Sequence, residues 1–259
     1  MAVSRELNFE AVGFSPEALD LRVRLADGAE TNAYVGLYRL DETDVRVVRF
    51  QRPLPLLGWC RDEGISEAIV GGFFTRPRGE PLGELWIEGE RSPSVPFLEP
   101  WDTLRSCLNV EAGEVALAPR QELPKQPAGD LLQAGPLLVR RGRAVVGDAG
   151  DAEGFSAGQA QFDSDITAGR YPRAALGIGA GVLLAAVCDG RSDTDCGLTL
   201  SELADLMVTL GARDAINLDG GGSTTLVRRG RLVNRPREEH GLDLAAGRPI
   251  STALVFARR

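Results

Sequence analysis

The sequence has a single histidine, His240, and that scarcity excludes every site built on two or three imidazoles, among them most catalytic zinc centres and histidine-based phosphatases. Its four cysteines, Cys60, Cys107, Cys188 and Cys196, show neither paired CxxC spacing nor the density of a disulfide scaffold, so they read as free thiols. There is no block of five or six like charges, and the 29 basic against 37 acidic residues leave a formal net charge of -8. That sign and dispersion argue against a nucleic-acid or anionic-membrane partner. The longest apolar run, around Gly181 to Cys188, is far short of the roughly 18 residues that a bilayer span needs, so no membrane span is expected. The amino-terminal MAVSRELNFEAVGF holds no apolar stretch that could serve as a signal-peptide core, and the chain as given reads as cytoplasmic. Any catalysis must rest on carboxylates, with no metal or other cofactor implied.

What is present is an ordinary globular balance: 259 residues, 43% of them hydrophobic, enough for one large domain or two small ones. The 31 glycines exceed the usual share of about 7% and recur at turn positions, which favours strands joined by tight turns. One strand is predicted near Leu19–Leu25, then AYVGLYRL at 33–40, DVRVVRF at 44–50, AIVGGFF at 68–74 and ELWIEGE at 84–90. CLNVEAGEVALA at 107–118, LLVRRGRAVV at 137–146 and LGIGAGVLLAAV at 176–187 continue the pattern as hairpins. The expected class is α+β, a strand-rich mixed sheet with few helices. Residues 1–32 read as an amino-terminal extension packing on a domain formed by 33–259. The polar stretch 147–170 reads as a long surface loop, either mobile or folded over a site.

One helix is well signalled. LTLSELADLMVTLGA at 198–212 sets Leu200, Leu203, Leu206, Met207 and Leu210 on one face, Thr199 and Glu202 make a capping box, and Gly211 stands at the stop. It connects VLLAAVCD at 182–189 to DAINLD at 214–219. A strand, a crossover helix and a second strand imply a parallel pair whose carboxyl ends point the same way, and ligands bind beyond such ends. Asp189 and Asp219 close the two strands. Their separation would be about 5 Å if the strands are neighbours and about 10 Å with one strand between.

In NLDGGGSTTLV, three glycines after a strand let the backbone approach a ligand and turn amides inward around an anion. The next segment is strand and turn, not helix, so dinucleotide and Walker-type sites are excluded. The bland alternative is a glycine hairpin with nothing bound. Arg173, at the start of a strand paired with the one ending at Asp189, and Arg191, two residues after Asp189, are the guanidiniums placed to grip a phosphate. Taken singly, each reads more readily as a surface ion pair with the many acidic residues. Glu202 lies beyond the same strand end but already has the capping role. Ser223 has only His240 as a base and no elbow-to-helix pattern, which argues against a serine hydrolase. DGRSDTDC at 189–196 lacks the spacing of a calcium loop.

NLDGGGSTTLV, preceded by AALGIG, VLLAAVCDGR and the TLSELADLM helix, resembles the phosphodiester glycosidase family. The likeness spans about residues 33–257, with AIVGGFF and PLGELWIEGE near its start, QAGPLLVRRGR in the middle and RPISTALVF at its end. It implies a mixed α+β domain that hydrolyses a sugar-1-phosphodiester at the glycosidic carbon, releasing sugar and phosphomonoester. By matching motif it implies an active-site set of Arg173, Asp189, Glu202, Asn217 and Asp219, with the turn Gly220, Gly221, Gly222, Ser223 and Thr224. Gly71, Gly72 and Phe73 would form a further wall. The partner is then a small glycosyl phosphodiester or glycan. Two positions depart from the family pattern: Val70 replaces an asparagine, and Ala174 replaces a serine or threonine. They leave open a non-catalytic glycan or sugar-phosphate binding protein. A third reading is a metal-dependent phosphoesterase acting through Asp189, Asp193, Asp195 and Asp219.

Overall fold

The apolar run Val182–Cys188 forms a strand buried on both faces. Leu183, Ala185 and Val187 join one core cluster, whereas Val182, Leu184, Ala186 and Cys188 join another. Side chains alternate across a strand, so a continuous apolar run is what a central strand needs. In the computed structural model, which describes residues 17–146, 152–156, 167 and 169–259, this strand lies inside a seven-stranded sheet. The order is Glu17–Arg24, Glu30–Arg39, Val182–Cys188, Arg173–Gly179, Asp214–Asn217, Leu137–Arg140 and Arg143–Ala144. One face carries the helix Leu200–Thr209. The other meets two five-stranded sheets, which contribute Val47, Ile69, Leu108, Leu132 and Leu254 to the shared core. The architecture is strand-rich α+β, and the ladders between the described strands are antiparallel.

The crossover unit takes the wider of the two expected spacings. Val182–Cys188 and Asp214–Asn217 both run antiparallel to Arg173–Gly179, which lies between them. They are therefore parallel to each other at two lateral steps, about 10 Å. The helix between them has its capping box: Glu202 N donates to Thr199 Oγ1 at 3.1 Å, and Thr199 N donates to Glu202 Oε2 at 2.9 Å. Gly211 ends it at φ 91°.

Several expected elements are shorter or differently placed. AIVGGFF is a strand only over Ala68–Val70, because Gly71 and Gly72 turn their amides to Thr252 instead of continuing the ladder. ELWIEGE divides into Leu85–Ile87 and Glu90–Arg91 around Glu88 and Gly89, both at positive φ. Helix Leu56–Asp62 and strand Asp130–Gln133 had no clear periodic signal; each is too short to show one. The expected boundary at 32/33 falls inside Glu30–Arg39, a strand that pairs along its length with Glu17–Arg24. Residues 1–16 lie outside the described ones.

The stretch 147–170, expected as a surface loop, is docked in part where it is described, although Ala152 and Gly169 are exposed. Phe155 is fully buried, and the Glu153 carboxylate accepts from the Ser106 amide at 2.7 Å and the Leu137 amide at 2.7 Å. Arg105 lies over the Phe97 and Phe155 rings, 4.1 Å from each centroid. The apolar Phe155 and the acceptor Glu153 supply a docking pair that the polar composition around them conceals. Of the stretch, residues 147–151, 157–166 and 168 lie outside the described ones.

Candidate active site

Asp219 lies just beyond the carboxyl end of Asp214–Asn217, where the seven-stranded sheet meets the sheet containing Ala68–Val70. Its amide donates to Gly71 O at 3.0 Å, which ties the loop to the second sheet. Gly71 is required there by close approach: a Cβ would fall 2.5 Å from Thr252 Oγ1 and 2.8 Å from the Thr252 carbonyl carbon. Asn217 braces the same turn from below, its Nδ2 donating to Gly135 O at 2.9 Å and Leu218 O at 2.8 Å. Gly72 donates to Thr252 Oγ1, and Phe73 packs on Phe155 at 5.7 Å between ring centroids. These residues form a scaffold that fixes where the Asp219 carboxylate stands.

The glycine turn departs from the expected amide cradle. Gly220 donates to Asp219 Oδ1 at 2.9 Å within the loop, and Gly221 donates to Pro172 O at 2.9 Å, which ties the loop to the segment leading into Arg173–Gly179, so both of these amides are already engaged. The glycines instead let charged side chains lie against the turn. At Gly221, with φ +60°, a Cβ would meet Arg191 Nη1 at 3.3 Å. At Gly222 it would meet Glu238 Oε1 at 2.8 Å and Arg248 Nη2 at 3.1 Å.

Asp219 is half-buried, and that burial raises its carboxyl to about 6, against the opposing pull of the Ser223 hydroxyl, the Arg248 charge, the Gly220 amide and the Arg76 charge. Ser223, fully buried, hydrogen-bonds Asp219 and faces Arg248 Nη1 at 3.5 Å. Arg248 in turn grips Glu238 through Nε and Nη2, and this bidentate pair holds the Glu238 carboxyl below its usual range. Arg191 Nη1 lies 3.9 Å from Glu238 Oε2 and donates to Arg237 O at 3.1 Å, while burial lowers its own pKa. The exposed Arg76, in the loop after Phe73, adds a positive field felt by both Asp219 and Glu238. The result is two carboxylates with pKa values pushed apart, beside three guanidiniums. Such a pair suits one proton-transferring group and one permanently ionised group.

Glu238, Arg248 and Arg76 are functional candidates that sequence reasoning missed. No spacing rule links them to Asp219, and only the RPISTALVF string marked Arg248. The other expected site residues have partners of their own. Asp189, 1% exposed, accepts the Arg235 amide at 2.7 Å and the Tyr34 hydroxyl at 3.2 Å. Glu202 is pushed up by burial, but its hydrogen bonds from Arg170 and Thr199 outweigh this and hold it low, with Arg170 Nη2 at 2.6 Å. Arg173 donates to Leu198 O at 3.0 Å and Gly169 O at 3.3 Å. Thr224 is fully buried; its carbonyl accepts from Asn234, but its hydroxyl has no hydrogen-bond partner among the described residues. Asp195 accepts from the Asn32 amide, Arg22 and Thr194, so its oxygens are spent on structure. Among the described residues no three His, Cys, Asp or Glu side chains gather as a metal-binding group. His240 is exposed, whereas Ser223 is fully buried. The positions that depart from the family pattern, Val70 and Ala174, are fully buried in the core between sheets.

Comparison with known proteins bears on this arrangement. The family model of phosphodiester glycosidases matches residues 63–257. The N-acetylglucosamine-1-phosphodiester alpha-N-acetylglucosaminidase of Bos taurus is 30% identical over 187 residues, which cover 69% of this chain and 34% of that protein. Its Mus musculus counterpart is 29% identical over 179 residues, 68% of this chain and 34% of that one. This chain therefore spans about a third of the length of the curated relatives it matches. Among solved structures, the zebrafish catalytic domain of the same enzyme, described as auto-inhibited by pro-peptide, superimposes with a TM-score of 0.69 at 18% identity. That match covers 95% of this chain and 83% of the zebrafish one. A hypothetical protein from Synechocystis gives 0.65 at 18% identity, covering 93% of this chain and 61% of its own. Both likenesses concern the fold.

Proposed function

Because the chain belongs to the phosphodiester glycosidase family, we propose that Asp219 and the arginine-lined glycine turn hydrolyse a sugar-1-phosphodiester at its glycosidic C–O bond. The observation that carries this reading is the Asp219 carboxylate at the junction of two sheets, in a glycine turn against which Arg191 and Arg248 lie; burial raises that carboxyl to about 6. The chemistry agrees with that inventory. A phosphomonoester is a good leaving group, so the C1–O bond needs little help from a general acid, and stabilising the departing charge matters most. Arg191 and Arg248, pressed against Gly221 and Gly222, supply that stabilisation from preorganised positions. Asp219, its carboxyl raised to about 6 by burial, takes a proton from the water that attacks the anomeric carbon. Glu238 stays ionised, orients Arg248 and places negative charge where the sugar becomes cationic. The products are a free sugar and a phosphomonoester.

Val70 and Ala174, the departures from the family pattern, are fully buried in the core between the sheets. The reading is tested by incubating the protein with a panel of sugar-1-phosphodiesters, N-acetylglucosamine-1-phosphodiesters first. Release of reducing sugar that disappears in Asp219→Ala supports it. Binding of the panel without turnover makes the protein a sugar-phosphate receptor instead.

A further inference from the structure

Asp189 stands where a catalytic acid is expected, at a strand end on the ligand side, yet its bonds point elsewhere. It is 1% exposed, with its amide on Asn32 O at 2.9 Å and its carbonyl accepting Thr31 Oγ1 at 2.7 Å. Oδ1 accepts the Arg235 amide at 2.7 Å and Oδ2 the Tyr34 hydroxyl at 3.2 Å. One strand lies between its own and the strand that leads to Asp219, a lateral gap of about 10 Å.

The Arg235 amide begins the segment that delivers Glu238. Two residues on, Arg237 O accepts Arg191 Nη1 at 3.1 Å, and the Arg237 guanidinium reaches back to Gly190 O at 3.4 Å. One residue further, Glu238 pairs with Arg248 beside Gly222. The turn 189–191 and the segment 235–238 are thus laced together, and each supplies one wall of the site: Arg191 from the first, Glu238 from the second. The Asp189 carboxylate is the anchor of this lacing at its Arg235 end.

We infer that Asp189 is a positioning residue: its carboxylate fixes the 235–238 backbone against the 189–191 turn, so that Glu238 and Arg191 both meet the glycine turn, and it touches no reacting atom. The inference rests on the proposed hydrolysis for its consequence, but its structural content is independent of substrate. What Asp189 must provide is an acceptor for one amide and a partner for one hydroxyl. An asparagine meets both demands, with Oδ1 accepting from Arg235 and Nδ2 donating to the Tyr34 oxygen. A catalytic carboxylate would not tolerate that exchange.

The test pairs Asp189→Ala with Asp189→Asn and reads two quantities in each folded variant: amide hydrogen exchange over 235–238 without substrate, and kcat and KM on the sugar-1-phosphodiester. Asp189→Ala should raise exchange across 235–238 and lower kcat/KM by about 100-fold, the scale of a misplaced active-site group. Asp189→Asn should rescue most of both losses, with the acid limb of the pH profile unmoved. If the alanine variant fails to fold, Asp189→Asn and Tyr34→Phe are compared in the same way. Activity that tracks loop protection supports the inference. Activity abolished in Asp189→Asn while 235–238 stays as protected as in the parent overturns it, as does unchanged exchange in the alanine variant. A parent protein that hydrolyses nothing refutes the proposed function, while the exchange comparison still decides the role of Asp189.

Discussion

Replacing Asp219 by asparagine should stabilise the fold while destroying turnover. In the folded chain burial holds this carboxyl at about 6 in place of its ordinary 3.8. Each unit of pKa corresponds to about 1.4 kcal/mol, so keeping Asp219 ionised in the folded protein at neutral pH costs about 3 kcal/mol. The folded state binds the Asp219 proton more tightly than the unfolded state. Its contribution therefore does no harm below pH 3.8, turns unfavourable as pH rises through the window to about 6, and reaches its full cost above it. Asparagine keeps the acceptor for the Gly220 amide and removes the charge. Chemical denaturation at pH 8 should show Asp219→Asn more stable than the parent by up to about 3 kcal/mol, a rise in Tm on the order of 6–10 °C for a chain of this length. The gain should shrink below about 1 kcal/mol at pH 4, where the parent is protonated as well. Turnover should be lost because no base remains. A variant less stable than its parent at pH 8, or equally stabilised at both pH values, would refute the argument that burial strains this carboxylate.

The same value places the acid limb of kcat/KM: activity should climb as pH rises through about 6 and level off above, and a profile that falls across that range would make Asp219 an acid instead. Arg248→Gln removes a charge that helps Asp219 ionise, so that limb should move to higher pH and KM for a phosphodiester should rise, with a smaller change for an uncharged aryl glycoside. Gly71→Ala brings a methyl into the Thr252 backbone, which cannot retreat without shifting the strand Ile250–Arg258; a loss of about 1–3 kcal/mol is expected in a melt. Thr199→Ala breaks only the helix cap, so it should cost about 1 kcal/mol and leave kcat unchanged.

Much of the framework was legible in the sequence because local rules govern it. The capping box at Thr199 and Glu202, the glycine at 211 and the apolar run at 182–188 each specify their element without help from distant residues. The relation between the strands of the crossover unit was readable only as parallel; that Arg173–Gly179 slips between them depends on sheet order, which no local pattern encodes. Asp219 was found through its glycines, but the glycines were assigned the wrong work. They were expected to present amides, whereas the Gly220 amide bonds Asp219, the Gly221 amide bonds Pro172, and the missing side chains make room for Arg191, Glu238 and Arg248. These partners come from segments separated along the chain and convene only when the two sheets pack. A polar string such as REEHGLD has no feature marking one of its acids as ionised beside an arginine, and the docked Glu153 and Phe155 were hidden for the same reason.

In the proposed reaction Asp219 and its arginines break the bond between sugar carbon and oxygen, leaving the phosphate's own oxygens untouched. Hydrolysis of a sugar-1-phosphodiester in ¹⁸O-labelled water reads this directly by mass spectrometry of both products. The account predicts one heavy oxygen in the released sugar and none in the phosphomonoester. Label in the phosphate would contradict it and transfer the reaction to phosphorus.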